Sequence, residues 1–229
     1  MKRVLITQGN YIPWKGYFDM IARADVFVIY DEVQYTKNDW RNRNMILTQD
    51  GPQWLTIPVR RLTLDQRICD SVISDTTWSR KHVASLQTNY AKAKYFGAYR
   101  DQVFELYDPQ MTLLSEVNRT FLKALCGMLG IGTDIVDSRD LELAGDRNGR
   151  LIDACKKLGA TTYLSGPAAQ GYLDVNSFQE QGVEVEWMEY GGYPEYPQVF
   201  KPFQHGVSVL DLLFNTGPDA GSFMKHVRK

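Results

Sequence analysis

The chain has 229 residues, with 26 Lys and Arg against 27 Asp and Glu and a net charge of −1. That balance gives no global basic field for unspecific nucleic-acid binding and no acidic tail. A hydrophobic share of 44% with 23% charged residues is that of an ordinary globular protein, long enough to bury a substantial core.

The three cysteines, Cys69, Cys126 and Cys155, are scattered and form no CxxC pair. They read as buried structural thiols in a reducing compartment. The opening MKRVLI is too short an apolar run for a signal peptide, and nothing approaches the roughly 20 apolar residues of a membrane span. A cytoplasmic protein is expected.

In chain order, the apolar run Val4 to Thr7 precedes the loop Gln8-Gly9-Asn10-Tyr11-Ile12-Pro13-Trp14-Lys15-Gly16-Tyr17. A helix-like segment, Tyr17 to Ala24, and a second apolar run, Val26 to Tyr30, complete a βαβ unit. In such units the loop after the first strand is the usual ligand position. Gly9 and Gly16 would let a backbone approach a ligand closely, and the helix N-terminus after Gly16 favours an anion. Gln8, Asn10, Tyr11, Trp14, Lys15 and Tyr17 are side chains able to bind; the bland alternative is a tight turn packed over the sheet.

Asp31 and Glu32 end the second strand, on the same carboxyl edge as the loop if the sheet is parallel. They point to opposite faces if extended, so one faces the cleft, and Asp31 is the chosen one. Gln34 follows, and then Trp40, Arg41, Asn42, Arg43 and Asn44 add charge and amides suited to phosphate or carboxylate. Met45 to Thr48 and Trp54 to Val59 flank Asp50-Gly51-Pro52, a hairpin signal with a longer turn, and Ile68 to Ile73 reads as a short strand.

Helices are predicted over Trp78 to Tyr90, Tyr95 to Tyr107 and Thr112 to Gly127. The last carries Leu113, Leu114, Val117, Phe121, Leu122 and Leu125 on one stripe. His82 stands beside Arg80 and Lys81, which would depress its pKa or help it hold an anion; a plain helix-surface histidine is the alternative.

Ile131 to Val136 is a predicted strand, Arg150 to Leu158 a helix, and Ala160 to Ser165 a strand that runs into the loop Gly166-Pro167-Ala168-Ala169. Ser165 and Gly166 form a second anion-type arrangement on the carboxyl edge. Val183 to Met188 alternates as a half-exposed strand. Tyr190, Tyr193, Tyr196 and Phe200 lie in a Gly/Pro-rich stretch that could serve as a protein interface, before a final helix, Val207 to Phe214. His226 falls in a tail expected to fray. No His, Cys and carboxylate set has metal-ligand spacing.

The expected fold is a single α/β domain over 1–229. It has a Rossmann-like, mostly parallel sheet, a β-hairpin insertion at about 36–75, a helical middle segment and an aromatic C-terminal segment from about 189.

With Gln8 to Tyr17, Asp25 to Tyr35, Asn42-Arg43-Asn44, Trp78 with Lys81-His82, Tyr163 to Gly166 and Val207 to Asn215 in view, the chain resembles the WbqC family over nearly its whole length. It departs at Gly9-Asn10-Tyr11-Ile12, where the family usually reads Pro-Tyr-Phe-Phe. The resemblance implies a link to bacterial surface-polysaccharide or other specialised biosynthesis. More distantly, the Pro13 to Tyr17 region resembles the HxGH region of nucleotidylyltransferases and pantothenate-synthetase-like ligases, whose histidines bind ATP phosphates. Trp14 and Tyr17 occupy those two positions here.

The reading that follows is a transferase or ligase using ATP or a nucleotide-activated donor, with Mg²⁺, on a small-molecule substrate such as an amino-sugar or sugar-nucleotide. Lys15, Asp31 and His82 are the catalytic candidates. Gln8, Gly9, Asn10, Tyr11, Trp14, Gly16, Tyr17, Gln34, Arg43, Ser165 and Gly166 are the ligand-binding candidates. The alternative is a non-catalytic binding or scaffold protein on a degenerate nucleotidyltransferase-like fold. A homo-oligomer stays open.

Overall fold

The computed structural model describes residues 1–227. Its centre is a five-stranded parallel sheet built from β1 (Arg3–Thr7), β2 (Val26–Ile29), β7 (Asp134–Asp137), β8 (Thr162–Ser165) and β9 (Glu184–Trp187), in the order β7-β2-β1-β8-β9. This is the expected Rossmann-like α/β architecture.

The strands read as continuous apolar runs because both faces of the sheet are covered. Along β1 and β2, Leu5, Phe27 and Ile29 point into one core, while Val4, Ile6, Val26 and Val28 point into the other. The first core takes in α1 (Lys15–Arg23) and the helical middle: α2 (Trp78–Tyr90), α3 (Phe96–Glu105) and α4 (Leu114–Met128). The second is closed by α5 (Arg147–Lys157) and α6 (Val175–Glu180). The predicted α4 stripe is fully buried at Leu114, Val117, Phe121, Leu122 and Leu125.

The insertion is a hairpin of β3 (Arg43–Thr48) and β4 (Gly51–Thr56). Its turn is shorter than the sequence suggested: Thr48 pairs with Gly51, so only Gln49 and Asp50 connect the strands. Gly51 takes φ +102°, a conformation that costs glycine little. The expected strand over Ile68 to Ile73 is instead a 3-10 turn at Ile68–Asp70 followed by a two-residue strand, β6 (Val72–Ile73), paired with β5 (Val59–Arg60).

The C-terminal segment corrects two expectations. Tyr193 and Tyr196 are buried rather than presented to a partner. His226 is tied down, its backbone N–H donating to Asp19 Oδ1 at 2.7 Å and its Nδ1 lying 2.9 Å from Asp19 Oδ2. The segment is a strap across α1, followed by α7 (Val209–Thr216) in the main core. No helix among the described residues is long and apolar enough to cross a membrane.

The chain runs from β1 to β2 on one side and returns to β8 on the other. This reversal opens a crevice at the carboxyl ends of β1 and β8.

Candidate functional site: the carboxyl-edge crevice

The crevice has a volume of about 810 Å³, within the range of small-molecule sites. Of the residues singled out from sequence, it brings together Gln8 at the end of β1, Gln34 after β2, and Ser165 and Gly166 at the end of β8. Tyr30, Tyr163, Tyr172 and Leu151 supply its apolar surface. Charge comes from Arg41, one of the residues whose sequence suited phosphate or carboxylate, and from Arg147 and Arg150, which sequence reasoning passed over, facing Asp39 and Asp146.

Each charged group is placed by local structure. Arg147 is the first residue of α5, whose N-cap Asp146 accepts from Gly149 N at 2.7 Å. Gly145 precedes it at φ +103°, where a Cβ would stand 3.2 Å from Gly149 Cα. The Arg147 guanidinium carbon lies over the Tyr172 ring, 3.8 Å from its centroid, a cation–π contact at one wall. Arg150, one turn on, donates from Nε to Gly145 O at 3.3 Å. Arg41 donates to Gln8 Oε1 at 3.0 Å and to Asn10 Oδ1 at 3.2 Å, with Asp39 at 3.6 Å. Three guanidiniums against two carboxylates, beside a helix N-terminus, make a surface whose chemistry suits an anion. A Gly-Asp pair ahead of two arginines three residues apart was the signal available in the sequence.

The other candidates sit elsewhere. Asp31 lies beneath the opening loop, 4% exposed, and accepts from Gly9 N at 2.7 Å. Burial pushes its pKa up to about 7 against the opposing pull of the Gly9 N–H. Its Oδ2 and the Oδ1 of Asn118 are both buried without a hydrogen-bond partner among the described residues, an arrangement suited to a protonated carboxyl. Gly9 is small because of these neighbours: a Cβ there would stand 3.0 Å from Asp31 Oδ2 and 3.4 Å from Asn118 Cβ. Glu32 faces away and accepts from Ser138 Oγ at 2.8 Å.

Lys15 is 2% exposed and points into the C-terminal strap. Its Nζ donates to Pro194 O at 2.9 Å and lies 4.9 Å from the Tyr196 ring centroid and 5.3 Å from that of Tyr193. Burial lowers its pKa to about 8, opposed by Asp19 and Asp211. His82 is buried with Tyr11, Trp78 and Tyr107, its Nδ1 2.8 Å from the Tyr11 hydroxyl. Burial lowers its pKa to about 4, a hydrogen bond with the Thr56 backbone pulls the other way, and Lys81 adds a smaller lowering push. The expected electrostatic cause at His82 is thus secondary to desolvation, and the ring is a core group rather than a surface one.

At the two positions where the nucleotidylyltransferase signature has histidines, Tyr17 turns inward and the half-buried Trp14 folds back over the loop. The Trp14 indole covers Gly16, where a Cβ would meet it at 2.3 Å. The Tyr17 hydroxyl donates to Gln8 O at 2.6 Å. The approaches opened by Gly9 and Gly16 are therefore filled by the protein's own side chains. Arg43 stacks on Trp54, 4.1 Å from the ring centroid, outside the crevice. Among the described residues no three His, Cys, Asp or Glu side chains gather as they would to hold a metal.

Comparison with known proteins places the chain in a family. An uncharacterized protein of Mycobacterium tuberculosis strain H37Rv, Rv1507c, is 45% identical over 231 residues, spanning the whole of both chains. No solved structure matches. The sequence profile of the WbqC-like protein family matches residues 8–223, and the chain belongs to that family.

Proposed function

We propose that the chain is a nucleotide-dependent transferase or ligase that binds the phosphates of ATP or of a nucleotide-activated donor in the crevice. The observation that carries this reading is the convergence of Arg41, Arg147 and Arg150 with the α5 N-terminus and the Ser165–Gly166 loop at the strand-order reversal. Tyr172, 51% exposed, offers an aromatic surface for a base or sugar, and the crevice volume suits a nucleotide. Mg²⁺ would enter on the phosphates rather than in a protein cage. An amine acceptor such as an amino-sugar, in surface-polysaccharide or other specialised biosynthesis, is the substrate class we assign. Three buried free cysteines fit a reducing, cytoplasmic setting.

The test is a thermal-shift titration with ATP and with sugar nucleotides, each with Mg²⁺. A ligand at about a hundred times its Kd stabilises by about 2.7 kcal/mol. Arg147→Ala should abolish the shift and Lys15→Met should retain it. A melting temperature unmoved by every nucleotide at millimolar concentration would remove this reading.

One observation favours a second reading. None of Lys15, Asp31 and His82 lines the crevice, so it can bind an anion without a positioned acid or base from that set. A non-catalytic binding protein would show the nucleotide shift without turnover of the nucleotide in the presence of any amine acceptor.

A further inference from the structure

Beyond Arg41 lies a second cavity of about 320 Å³, lined by Pro13, Trp14 and Trp40 with Asn10, Asn44 and His205. Arg41 joins the two spaces: one end of its guanidinium binds Gln8 of the crevice and the other binds Asn10 of this slot. The slot's two indoles are held by neighbours rather than left to rotate. Trp14 packs on Tyr190 and Tyr193, with ring centroids 5.4 and 5.7 Å apart. Trp40, 42% exposed, lies 5.4 Å from Trp54, whose ring in turn carries the Arg43 guanidinium.

Among the described residues no carboxylate or guanidinium lines this cavity. Asn44 is committed to the fold, donating to Tyr11 O and accepting from Met45 N. Asn10 is not: its Oδ1 accepts from Arg41, and its Nδ2 has no partner among the described residues. His205 stands at the rim with its pKa lowered by partial burial and by Lys15, which keeps the ring neutral at neutral pH. The slot thus offers apolar indole surface, one amide donor and one neutral imidazole.

We propose that this slot binds a neutral pyranose ring, its C–H face against the indoles and its hydroxyls toward Asn10 and His205. An indole face binds C–H groups without charge, while an amide and an imidazole suit hydroxyls. A charged group would find no counter-ion inside the slot, and the cavity sits at the small end of ligand sites. Calling the slot an acceptor subsite rests on the nucleotide reading of the neighbouring crevice.

The experiment follows the indole N–H signals of the protein labelled with ¹⁵N. The five tryptophans, Trp14, Trp40, Trp54, Trp78 and Trp187, are assigned through Trp→Phe variants. Methyl glycosides of neutral hexoses and N-acetylhexosamines are titrated into the tens of millimolar. Saturable movement of Trp14 and Trp40, with buried Trp78 unmoved, is the expected result. Trp40→Ala should weaken that binding about tenfold or more, and its exposed side chain makes the variant a safe one to fold. Silence of Trp14 and Trp40 toward every glycoside overturns the proposal, as does their movement by adenosine or uridine alone. Loss of the nucleotide thermal shift with an intact glycoside response would sink the crevice reading and leave the sugar site standing. The reverse pattern would sink the slot alone.

Discussion

The Gly9 N–H donates to Asp31 Oδ1 at 2.7 Å while the other oxygen of that carboxyl closes the space above the glycine. The opening loop is therefore seated on a buried acid, at the point where β1 delivers Gln8 to the crevice. Gly9→Ala would force a Cβ to within 3.0 Å of Asp31 Oδ2. Overpacking of this kind costs about 1–3 kcal/mol. Chemical denaturation should show that loss for Gly9→Ala, and the penalty should shrink in an Asp31→Ala background, where the obstructing oxygen is gone. Equal penalties in both backgrounds would show that the carboxyl is not what limits position 9.

Asp31 and His82 set opposing pH dependences. The folded pKa of Asp31, about 7, lies above the unfolded value of 3.8. Its contribution to stability is complete below pH 3.8 and is lost as pH rises through 7. His82 is the opposite case, with a folded pKa of about 4 against 6.5. It contributes above pH 6.5, and that contribution is lost as pH falls through 4. Between about pH 4 and 6.5 the folded state holds an extra proton on Asp31 and the unfolded state an extra one on His82, so the two slopes cancel.

Removing either group should expose the other. Relative to the parent, Asp31→Asn should lose stability on acidification across that window at about 1.4 kcal/mol per pH unit. His82→Gln should gain at a similar rate. Urea midpoints measured at half-unit pH intervals would read both slopes. Parallel curves for parent and variants would show that neither group is held in its unusual charge state.

Much of the fold was legible because its periods are clean. The continuous apolar runs of β1 and β2 and the α4 stripe follow directly from two-sided burial and a 3.6-residue repeat. Sequence order also marks which loops follow strands, which is why Gln8, Gln34, Ser165 and Gly166 could be expected on the edge where the crevice lies. Strand order is a tertiary outcome, however, and it decides which loops share a crevice. The pairing of β8 against β1 carries the α5 N-terminus to the site. Gly145 and Gly149 dilute the start of the α5 pattern, so the helix reads from Arg150 and leaves Arg147 outside it. Lys15 misled for a different reason. A lysine after a glycine-bearing loop looks like a phosphate ligand, and nothing local shows that a strap some 180 residues later will enclose it.

Lys15 holds that strap at a cost in solvation. With a folded pKa near 8 against 10.5, the folded state holds fewer protons than the unfolded one between those values, and stability at this site rises with pH across them. Lys15→Met fills similar space without the charge and should remove that rise while keeping the aromatic packing. Lys15→Ala would leave a cavity and should cost about 2–5 kcal/mol, as large-to-small core changes do. Thermal melts of the three proteins at pH 7 and pH 10 distinguish charge from volume. A Lys15→Met protein as unstable as Lys15→Ala would mean that the hydrogen bond to Pro194 O outweighs the desolvation.

The contact between Arg147 and Tyr172 links the proposed phosphate recognition in the crevice to chemistry rather than to folding. Its guanidinium carbon lies over the Tyr172 ring, 3.8 Å from the centroid, and a guanidinium stacked on a ring keeps its paired N–H donors at its edges. A lysine there would keep the charge and lose both the stacking and the paired donors. If the crevice recognises phosphate oxygens through that fork, Arg147→Lys should bind nucleotide nearly as poorly as Arg147→Ala, and Tyr172→Ala should weaken binding by releasing the fork. Tyr172→Phe keeps the ring and should bind normally. Calorimetric titration at fixed ionic strength reads all four variants. If Arg147→Lys instead binds like the parent, the residue acts as a point charge, and the Tyr172 platform has no part in recognition.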